Sequence, residues 1–196
     1  MKIIGILGDI GSGKTFISRK FDCPVFNADN EVSKIYETNY SCFKKLNKKF
    51  PENIKKFPVV KNELIKILKK DVRNLKKIIK IVHPIVRVKM NKFLKKNSKR
   101  RLVVLDIPLL IENKLNKKKH ILLYIEANMK KIQYRLKKRK NFDKKIYKEL
   151  KKIQISAKKK KKLSNYVINN DFKINKVMKD VKFIKNKILK KWQKLY

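Results

Sequence analysis

Residues 8–15 of the chain read Gly-Asp-Ile-Gly-Ser-Gly-Lys-Thr and fit the pattern G-x-x-x-x-G-K-[ST] of a phosphate-binding loop, the P-loop. The chain of 196 residues contains four glycines, and all of them lie within the first thirteen residues. Glycine permits a positive φ and a close approach of the backbone to a ligand. This placement favours a working phosphate-binding loop over a chance match.

The flanks of the P-loop have the pattern that its geometry requires. An apolar stretch at 2–7 predicts a strand before the loop, and residues 14–21 predict a helix after it. Backbone N–H groups and the helix dipole would then point at a β-phosphate. Lys14 is predicted to bridge β- and γ-phosphate oxygens, and Thr15 to bind Mg²⁺ through its hydroxyl. The predicted nucleotide-binding residues of the loop are Gly8, Gly11, Ser12, Gly13, Lys14 and Thr15.

Five short apolar segments predict an α/β fold. Besides the first strand, four continuous apolar runs lie at 23–26, 102–105, 121–125 and 166–168. Continuous rather than alternating runs are typical of parallel strands that are covered on both faces. Helical stretches separate the runs, so we expect a three-layer fold around a five-stranded parallel sheet.

The chain is expected to form a single domain with two helical additions. The predicted core comprises residues 1–33, 99–130 and 163–196, and its last part is an amphipathic helix. Residues 34–98 are too long for a simple strand crossover and show helical periodicity, which predicts a helical insertion on the substrate side. Residues 131–162 are also helical and densely charged, and we expect them to form a lid.

The composition is strongly basic, with 57 Lys plus Arg residues against 15 Asp plus Glu and a formal net charge of +42. This charge keeps a basic nucleic-acid-binding protein as an alternative function. However, 50 of the basic residues are lysines and 7 are arginines, whereas base readout and bidentate phosphate contacts favour arginine. The excess of lysine is typical of drift in an AT-rich genome, so we expect no specific nucleic-acid partner.

The sequence also indicates where the protein works. Cys23 and Cys42 are too few for a disulfide framework and fit a reducing compartment. The apolar run 102–111 contains Asp106 and is too short to span a bilayer, and no export signal is apparent. We expect a cytoplasmic protein with no membrane partner. The sequence does not set the oligomeric state, for which a monomer is the default expectation.

Asp29 is the candidate general base. A P-loop alone is compatible with GTPases, ATPases and small-molecule kinases, but the sequence has no D-x-x-G or N-K-x-D segment of a switch GTPase. Asp29 follows the second predicted strand, at the edge of the sheet where ligands bind in open parallel folds. A carboxylate there can accept the proton of a substrate hydroxyl that attacks the γ-phosphate. Alternatively, Asp29 is the N-cap of a helix over 30–38.

Five blocks of sequence carry a resemblance to a known family. The first two are the P-loop and Asn27-Ala28-Asp29. The other three are His83-Pro84-Ile85-Val86-Arg87, Ile107-Pro108-Leu109-Leu110-Ile111-Glu112, and Arg135-x-x-x-Arg139 followed by Gln154 and by Ser164-Asn165-Tyr166-Val167-Ile168-Asn169-Asn170. In this order the blocks resemble the dephospho-coenzyme A kinase family over nearly the whole chain. Asp9, Asn27 and Ser164-Asn165 depart from the pattern of that family, whereas Lys14 and Asp29 match it.

The resemblance implies a three-layer P-loop kinase fold and a specific reaction. ATP would phosphorylate the ribose 3′-hydroxyl of dephospho-coenzyme A, which yields coenzyme A in the last step of its biosynthesis. Asp29 would be the base, Lys14 would neutralise developing charge, and Arg139, with Arg135 beside it, would close over the phosphoryl group of ATP. The residues implied to contact the acceptor substrate are Asp29, His83, Arg87 and Glu112.

Two of these residues, His83 and Glu112, also have a simpler structural interpretation. His83 could cap or pack against a helix that Pro84 starts, instead of touching the substrate. Arg87 lies one helical turn from His83 on the same face and could meet a phosphate. Glu112 could hydrogen-bond a ribose or pair with a lysine.

The remaining alternatives concern two arginines, one acid and the class of kinase. Arg135 and Arg139 are spaced i and i+4, so they could both reach a γ-phosphate or line a solvated basic face. Asp106 ends the third predicted strand, where P-loop proteins often hold a Mg²⁺-coordinating acid, and its role stays open. Another nucleoside or nucleoside-monophosphate kinase is the alternative enzyme, although its D-G-[FY]-P-R segment has no counterpart here.

Overall fold

The computed structural model describes residues 1–138 and 142–193. Its strands are β1 (Lys2–Gly8), β2 (Val25–Asn27), β3 (Leu102–Asp106), β4 (Ile121–Ala127) and β5 (Tyr166–Asn170). Its helices are α1 (Lys14–Arg19), α2 (Ala28–Thr38), α3 (Tyr40–Lys49), α4 (Lys61–Lys70), α5 (Asn74–Lys96), α6 (Met129–Lys137), α7 (Lys144–Ile153), α8 (Ala157–Leu163) and α9 (Ile174–Gln193).

The five strands form a parallel sheet in the order β2-β3-β1-β4-β5, which confirms the predicted α/β fold. β1 lies at the centre, between β3 and β4. Because all the strands run in the same direction, their carboxyl ends lie along one edge of the sheet. Asn27 ends β2 and Asp106 ends β3 at that edge, beside the P-loop that leaves β1. Open parallel sheets bind their ligands at this edge.

One face of the sheet packs against α1 and α9. Alternate apolar side chains of β1, β3 and β4 meet those of the two helices in one buried cluster. Its members are Ile4, Ile6, Ile17, Phe21, Leu102, Val104, Leu123, Ile125, Ile168, Val177, Val181, Ile184 and Ile188. Full burial of an aliphatic or aromatic side chain contributes about 1.5–3 kcal/mol, so this cluster holds the strand and the helix that flank the P-loop firmly together.

The chain divides into two compact units. The sheet unit contains the described residues of Met1–Asn27, Lys96–Phe142 and Lys151–Tyr196, and the helical unit contains Ala28–Lys95 and Asp143–Leu150. Helices α2 to α5 of the helical unit each bury one apolar side, which explains the helical periodicity of the sequence there. Its most buried side chains include Ile35, Cys42, Leu46, Ile54 and Ile67.

Two sequence interpretations of helix ends are wrong. Helix α2 begins at Ala28, so Asp29 lies in its first turn and is not an N-cap. Helix α5 runs from Asn74 through Pro84 to Lys96, so Pro84 does not start a helix. An interior proline costs about 3 kcal/mol. Burial offsets that cost, because Ile78, Val82, Val86 and Met90 form a buried stripe at four-residue spacing on both sides of Pro84.

The last strand also differs from the prediction of a continuously buried run. In β5, Ile168 and Asn170 are buried, whereas Val167 and Asn169, which alternate with them, are exposed. β5 is the outermost strand on one side of the sheet and pairs with β4. Side chains of a strand alternate between the two faces of the sheet, so this pattern shows that one face of β5 is covered and the other is open.

Both cysteines are free thiols, as expected from their number. Burial raises the pKa of the Cys23 thiol to about 11, so this thiol is protonated at neutral pH. Over the residues that the structure describes, no helix has the length and the apolar composition needed to cross a membrane.

The burial of His120 predicts that the stability of the fold depends on pH. Its side chain precedes β4, is 6% exposed, and has no hydrogen-bond partner for either ring nitrogen within the described part of the chain. Burial, and secondarily Lys117 and Lys119, lower its pKa below the ordinary 6.5. In the unfolded chain, His120 therefore takes up a proton near pH 6.5, whereas in the native state it takes up this proton only at a lower pH. We expect the free energy of unfolding to fall as the pH drops below 6.5, by up to about 1.4 kcal/mol per pH unit.

The matched variant is His120→Phe, which keeps a ring of similar shape and removes both unpaired nitrogens. Urea unfolding at pH 7.5 and 5.5 should show a smaller loss of stability on acidification in this variant than in the wild type. At pH 7.5 the variant should be at least as stable, because burying unpaired polar atoms is costly. An equal loss of stability in both proteins would show that His120 does not control this dependence.

Candidate active site

The P-loop has the backbone that its glycines predict. Gly13 caps α1 with a φ of 92°, and Gly11 has a φ of 87°, so both positions favour glycine. A Cβ at Gly13 would also lie 2.5 Å from Nδ2 of Asn170, which leaves no room for a side chain. Glycine at these positions lets an anion approach the backbone N–H groups at the start of α1.

The backbone groups of Ser12 are hydrogen-bonded, whereas its hydroxyl is unpaired within the described part of the chain. Its carbonyl oxygen accepts a hydrogen bond from Nδ2 of the buried Asn170 (2.8 Å). Its side chain is 1% exposed, and the hydroxyl oxygen has no hydrogen-bond partner among the residues described. A buried hydroxyl in a loop of this shape suits a phosphate oxygen as its partner. Asn170 lies in a block that the sequence singled out, but nothing in the sequence indicated this contact.

Lys14 lies back over the loop that it follows. Its Nζ donates to the carbonyl oxygens of Gly8 (3.1 Å) and Asp9 (2.9 Å). Thr15 is the second residue of α1, where its hydroxyl is a hard oxygen donor of the kind that Mg²⁺ prefers. The chemistry of these two side chains fits the roles predicted for them.

Asn27 and Asp106 face each other at the ends of β2 and β3. The two residues are in register in the parallel pair, and Nδ2 of Asn27 donates to Oδ2 of Asp106 over 2.6 Å. Asp106 is 2% exposed, so this hydrogen bond satisfies part of a buried carboxylate. An asparagine at position 27 can donate this hydrogen bond to Asp106, whereas a carboxylate at position 27 would repel the carboxylate of Asp106.

Glu112 binds a backbone group. Its Oε1 accepts a hydrogen bond from the N–H of Ile155 (3.0 Å), which the sequence did not indicate. Beside it, Nε2 of Gln154 donates to the carbonyl oxygen of Pro108 (3.4 Å). These two contacts attach the segment before α8 to the loop that follows β3.

Arg135 stacks on an aromatic ring next to the P-loop. Its guanidinium lies 4.5 Å from the ring centroid of Phe172, a cation–π distance. Phe172 follows β5 with a φ of 69°, and its N–H donates to Oδ1 of Asn170. Its ring also lies 3.9 Å from the Cβ position of Gly13, so Arg135 is stacked within reach of the loop. Arg139 lies outside the described residues.

In the helical unit, Asp29 borders a groove of about 470 Å³. The other residues that line it are Val32, Ser33, Tyr36, Glu37, Val59 and Lys61. The backbone of Val59 donates to the carbonyl oxygen of Tyr36 (3.0 Å) and so closes one side. Burial raises the pKa of the Tyr36 phenol, which stays neutral. The groove combines apolar walls with a carboxylate.

A second groove of the helical unit, about 370 Å³, lies along α5. It is lined by Ile79, Lys80, His83, Pro84 and Arg87. His83 and Arg87 lie one helical turn apart, as the sequence indicated. Burial, and then the charge of Arg87, lower the pKa of His83, so its imidazole is neutral at pH 7. The site residues thus fall into two groups, the P-loop and Arg135 in the sheet unit, and Asp29, His83 and Arg87 in the helical unit.

The chain is similar to known proteins both in sequence and in fold. A family model described as CoaE, dephospho-CoA kinase, matches residues 2–176. The dephospho-CoA kinase of Bartonella henselae is 36% identical over 132 residues, which cover 65% of this chain and 67% of that protein. The crystal structure of TT1252 from Thermus thermophilus superposes with a TM-score of 0.72 at 25% identity, over 93% of this chain and 95% of the other. A dephospho-CoA kinase structure from Campylobacter jejuni shares the fold, with a TM-score of 0.65, 17% identity and coverage of 95% and 97%.

Proposed function

Because the chain belongs to the dephospho-CoA kinase family, it is an enzyme that uses ATP to phosphorylate dephospho-CoA to CoA, and we propose which of its residues carry out the transfer. The observation that carries the proposal is the P-loop between β1 and α1, with its buried and unpaired Ser12 hydroxyl. That loop receives the phosphates of ATP. The acceptor is the ribose 3′-hydroxyl of dephospho-CoA.

The phosphate donor is bound by the P-loop. Backbone N–H groups of Gly11 and Gly13 and the hydroxyl of Ser12 hold the β-phosphate at the N-terminus of α1. Lys14 leaves its backbone carbonyl partners and places its charge between the β- and γ-phosphates, where negative charge develops during transfer. Mg²⁺, held by the Thr15 hydroxyl and phosphate oxygens, would shield further charge when bound. We assign Arg135 and Arg139 the role of supplying further positive charge to the phosphoryl group during transfer.

Four residues are assigned to the acceptor substrate. Asp29 accepts the proton of the 3′-hydroxyl or orients it, because a carboxylate is the group suited to a hydroxyl nucleophile. The apolar part of the groove beside Asp29 takes the adjoining portion of the substrate. Arg87 and the neutral His83 suit the pyrophosphate, Arg87 by charge and His83 by hydrogen bonding. Glu112 contributes to acceptor binding from the loop after β3.

The reaction is tested with purified protein, ATP, Mg²⁺ and dephospho-CoA. We expect CoA and ADP in equal amounts, with ³¹P NMR placing the new phosphate on the 3′-oxygen. A panel of nucleosides and nucleoside monophosphates covers the alternative class of kinase. A higher kcat/KM for any member of this panel than for dephospho-CoA would show that the acceptor is misassigned.

The groove beside Asp29 gives a separate prediction. Ser33→Trp places a large ring in the groove and should raise the KM for dephospho-CoA by about tenfold or more, the cost of about 1.4 kcal/mol of lost binding. The KM for ATP should change less than about twofold, because the P-loop is untouched. Steady-state kinetics with each substrate varied in turn measure both values.

The matched control for this prediction is Thr38→Trp on the same helix. The hydroxyls of Ser33 and Thr38 both donate to the carbonyl oxygen four residues earlier, and both side chains are exposed, but Thr38 does not line the groove. The control should leave both KM values near those of the wild type. If both tryptophans raise the KM for dephospho-CoA equally, the groove does not bind the acceptor.

We also propose that the protein acts as a monomer in the cytoplasm and needs no nucleic acid. The two free thiols are compatible with a reducing compartment. Light scattering of the purified enzyme, with and without RNA, tests the assembly. A stable dimer, or activity that requires RNA, would contradict this part of the proposal.

A further inference from the structure

One lysine in helix α8 differs from its neighbours. The helix reads Ala-Lys-Lys-Lys-Lys-Lys-Leu, and four of its five lysines are exposed. The side chain of Lys160 is 3% exposed. Lysine is almost never fully buried unless its charge is paired, so this position has a specific partner.

That partner is the second residue of the P-loop. Nζ of Lys160 donates to Oδ1 of Asp9 (2.9 Å) and to Oε1 of Gln154 (3.2 Å). The carbonyl oxygen of Asp9 also accepts from Nζ of Lys14 (2.9 Å). Asp9 is therefore bound through its side chain by Lys160 and through its backbone by the P-loop lysine.

Lys160 is itself held in place by the surrounding segment. Gln154 also donates to the carbonyl oxygen of Pro108, and the next residue, Ile155, donates its N–H to Glu112. The hydroxyl of Ser164 donates to the carbonyl oxygen of Lys160 (2.8 Å). These contacts lie on both sides of Lys160 along the chain, so its ammonium group has little freedom to leave Asp9.

The carboxylate of Asp9 is unfavourable for a loop that binds a triphosphate. It is 20% exposed and would repel phosphate groups bound by the same loop, an interaction that a low local dielectric strengthens. Tyr124 also lies near Asp9, but burial raises its pKa to about 12, so it is a neutral phenol. The ammonium group of Lys160 lies 2.9 Å from Oδ1 of Asp9 and forms an ion pair with this carboxylate.

We propose that Lys160 is a positioning residue of the kinase reaction, which neutralises Asp9 and joins α8 to the P-loop so that the loop can bind ATP. The inference rests on the proposed function of the P-loop. It assigns no contact between Lys160 and the phosphates. Lys160 affects ATP binding indirectly. It neutralises the side chain of Asp9, whose carbonyl oxygen accepts a hydrogen bond from Lys14.

The test is a charge-compensation cycle that measures the Kd for ATP with Mg²⁺ by calorimetry, alongside kcat and KM. Lys160→Met should weaken ATP binding by about tenfold or more, because an uncompensated carboxylate then faces the triphosphate. Adding Asp9→Gly to this variant should return the Kd to within about threefold of the wild type. Lys160→Arg, which keeps the charge, should restore most of the affinity as well.

Lys161→Met is the matched control. Lys161 is the next residue of α8 and pairs with Glu126 on the surface, so its loss should leave the Kd for ATP unchanged. Thermal unfolding of every variant separates loss of fold from loss of binding. If Lys160→Met does not fold, Lys160→Gln replaces it, since a neutral amide can still hydrogen-bond Asp9.

Two results would overturn the inference. One is wild-type affinity for ATP in a folded, neutral variant at position 160. The other is a double variant that binds ATP no better than the variant of Lys160 alone. Calorimetry needs no acceptor substrate, so a wild-type protein that binds ATP but does not phosphorylate dephospho-CoA would contradict the proposed function and leave this inference testable.

Discussion

Lys14→Met should lower kcat for CoA formation by about 10²–10⁴-fold, the range lost when one preorganised charge at a reacting centre is removed. Methionine keeps most of the length and the apolar stem of lysine but has no charge to place between the β- and γ-phosphates. The hydrogen bonds from Lys14 to Gly8 and Asp9 are lost as well. The measurement is single-turnover and steady-state kinetics at saturating ATP.

The control for Lys14→Met is Lys20→Met at the other end of α1. Lys20 is the C-cap of this helix, and its ammonium lies 5.1 Å from the ring centroid of Phe16, an exposed side chain. Its loss should change kcat by less than about twofold. Thermal unfolding shows whether each variant is folded. A folded Lys14→Met enzyme that keeps more than a tenth of wild-type kcat would contradict the role proposed for this lysine.

Asp29→Asn should lower kcat by about 10²–10⁴-fold while leaving the Kd for ATP unchanged. The amide has nearly the same shape as the carboxylate and can still hydrogen-bond the acceptor hydroxyl, but it cannot take up the proton. The loss therefore concerns the chemical step more than binding of either substrate. Steady-state kinetics and calorimetry with ATP separate the two effects.

Glu31→Gln is the matched control for Asp29→Asn. Both carboxylates lie in the first turn of α2, where they interact favourably with the helix dipole, but Glu31 pairs with Lys34 and Lys89 and does not line the groove. The control should retain kcat within about twofold. Equal losses in the two variants would indicate a general effect on α2, and full activity in Asp29→Asn would mean that Asp29 is not the base.

The fold and the P-loop could be predicted from the sequence because both depend on local patterns. Residues 102–105 are apolar without interruption, and β3 occupies Leu102–Asp106 between two other strands. Gly11 and Gly13 lie where the loop needs a positive φ. Because the chain has only four glycines, their positions indicate where the backbone requires this residue. Steric demands of this kind act within a few residues.

Local patterns were misleading where burial outweighs propensity. Pro84 indicated the start of a helix, but a buried stripe continues on both sides of it and keeps α5 unbroken. The run at 166–168 indicated a strand covered on both faces, but β5 is at the edge of the sheet. Such outcomes depend on what the rest of the chain packs against the segment.

The sequence by itself therefore determined the class of fold, the phosphate-binding loop and the residue types available for phosphoryl transfer. Tertiary structure alone decided which of five consecutive lysines is buried, and that Asp9 and Asn170 are the side chains that join the P-loop to α8 and β5. The physical reason is distance along the chain. Asp9 meets Lys160 across 151 positions, and Ser12 meets Asn170 across 158, so no local periodicity records either contact.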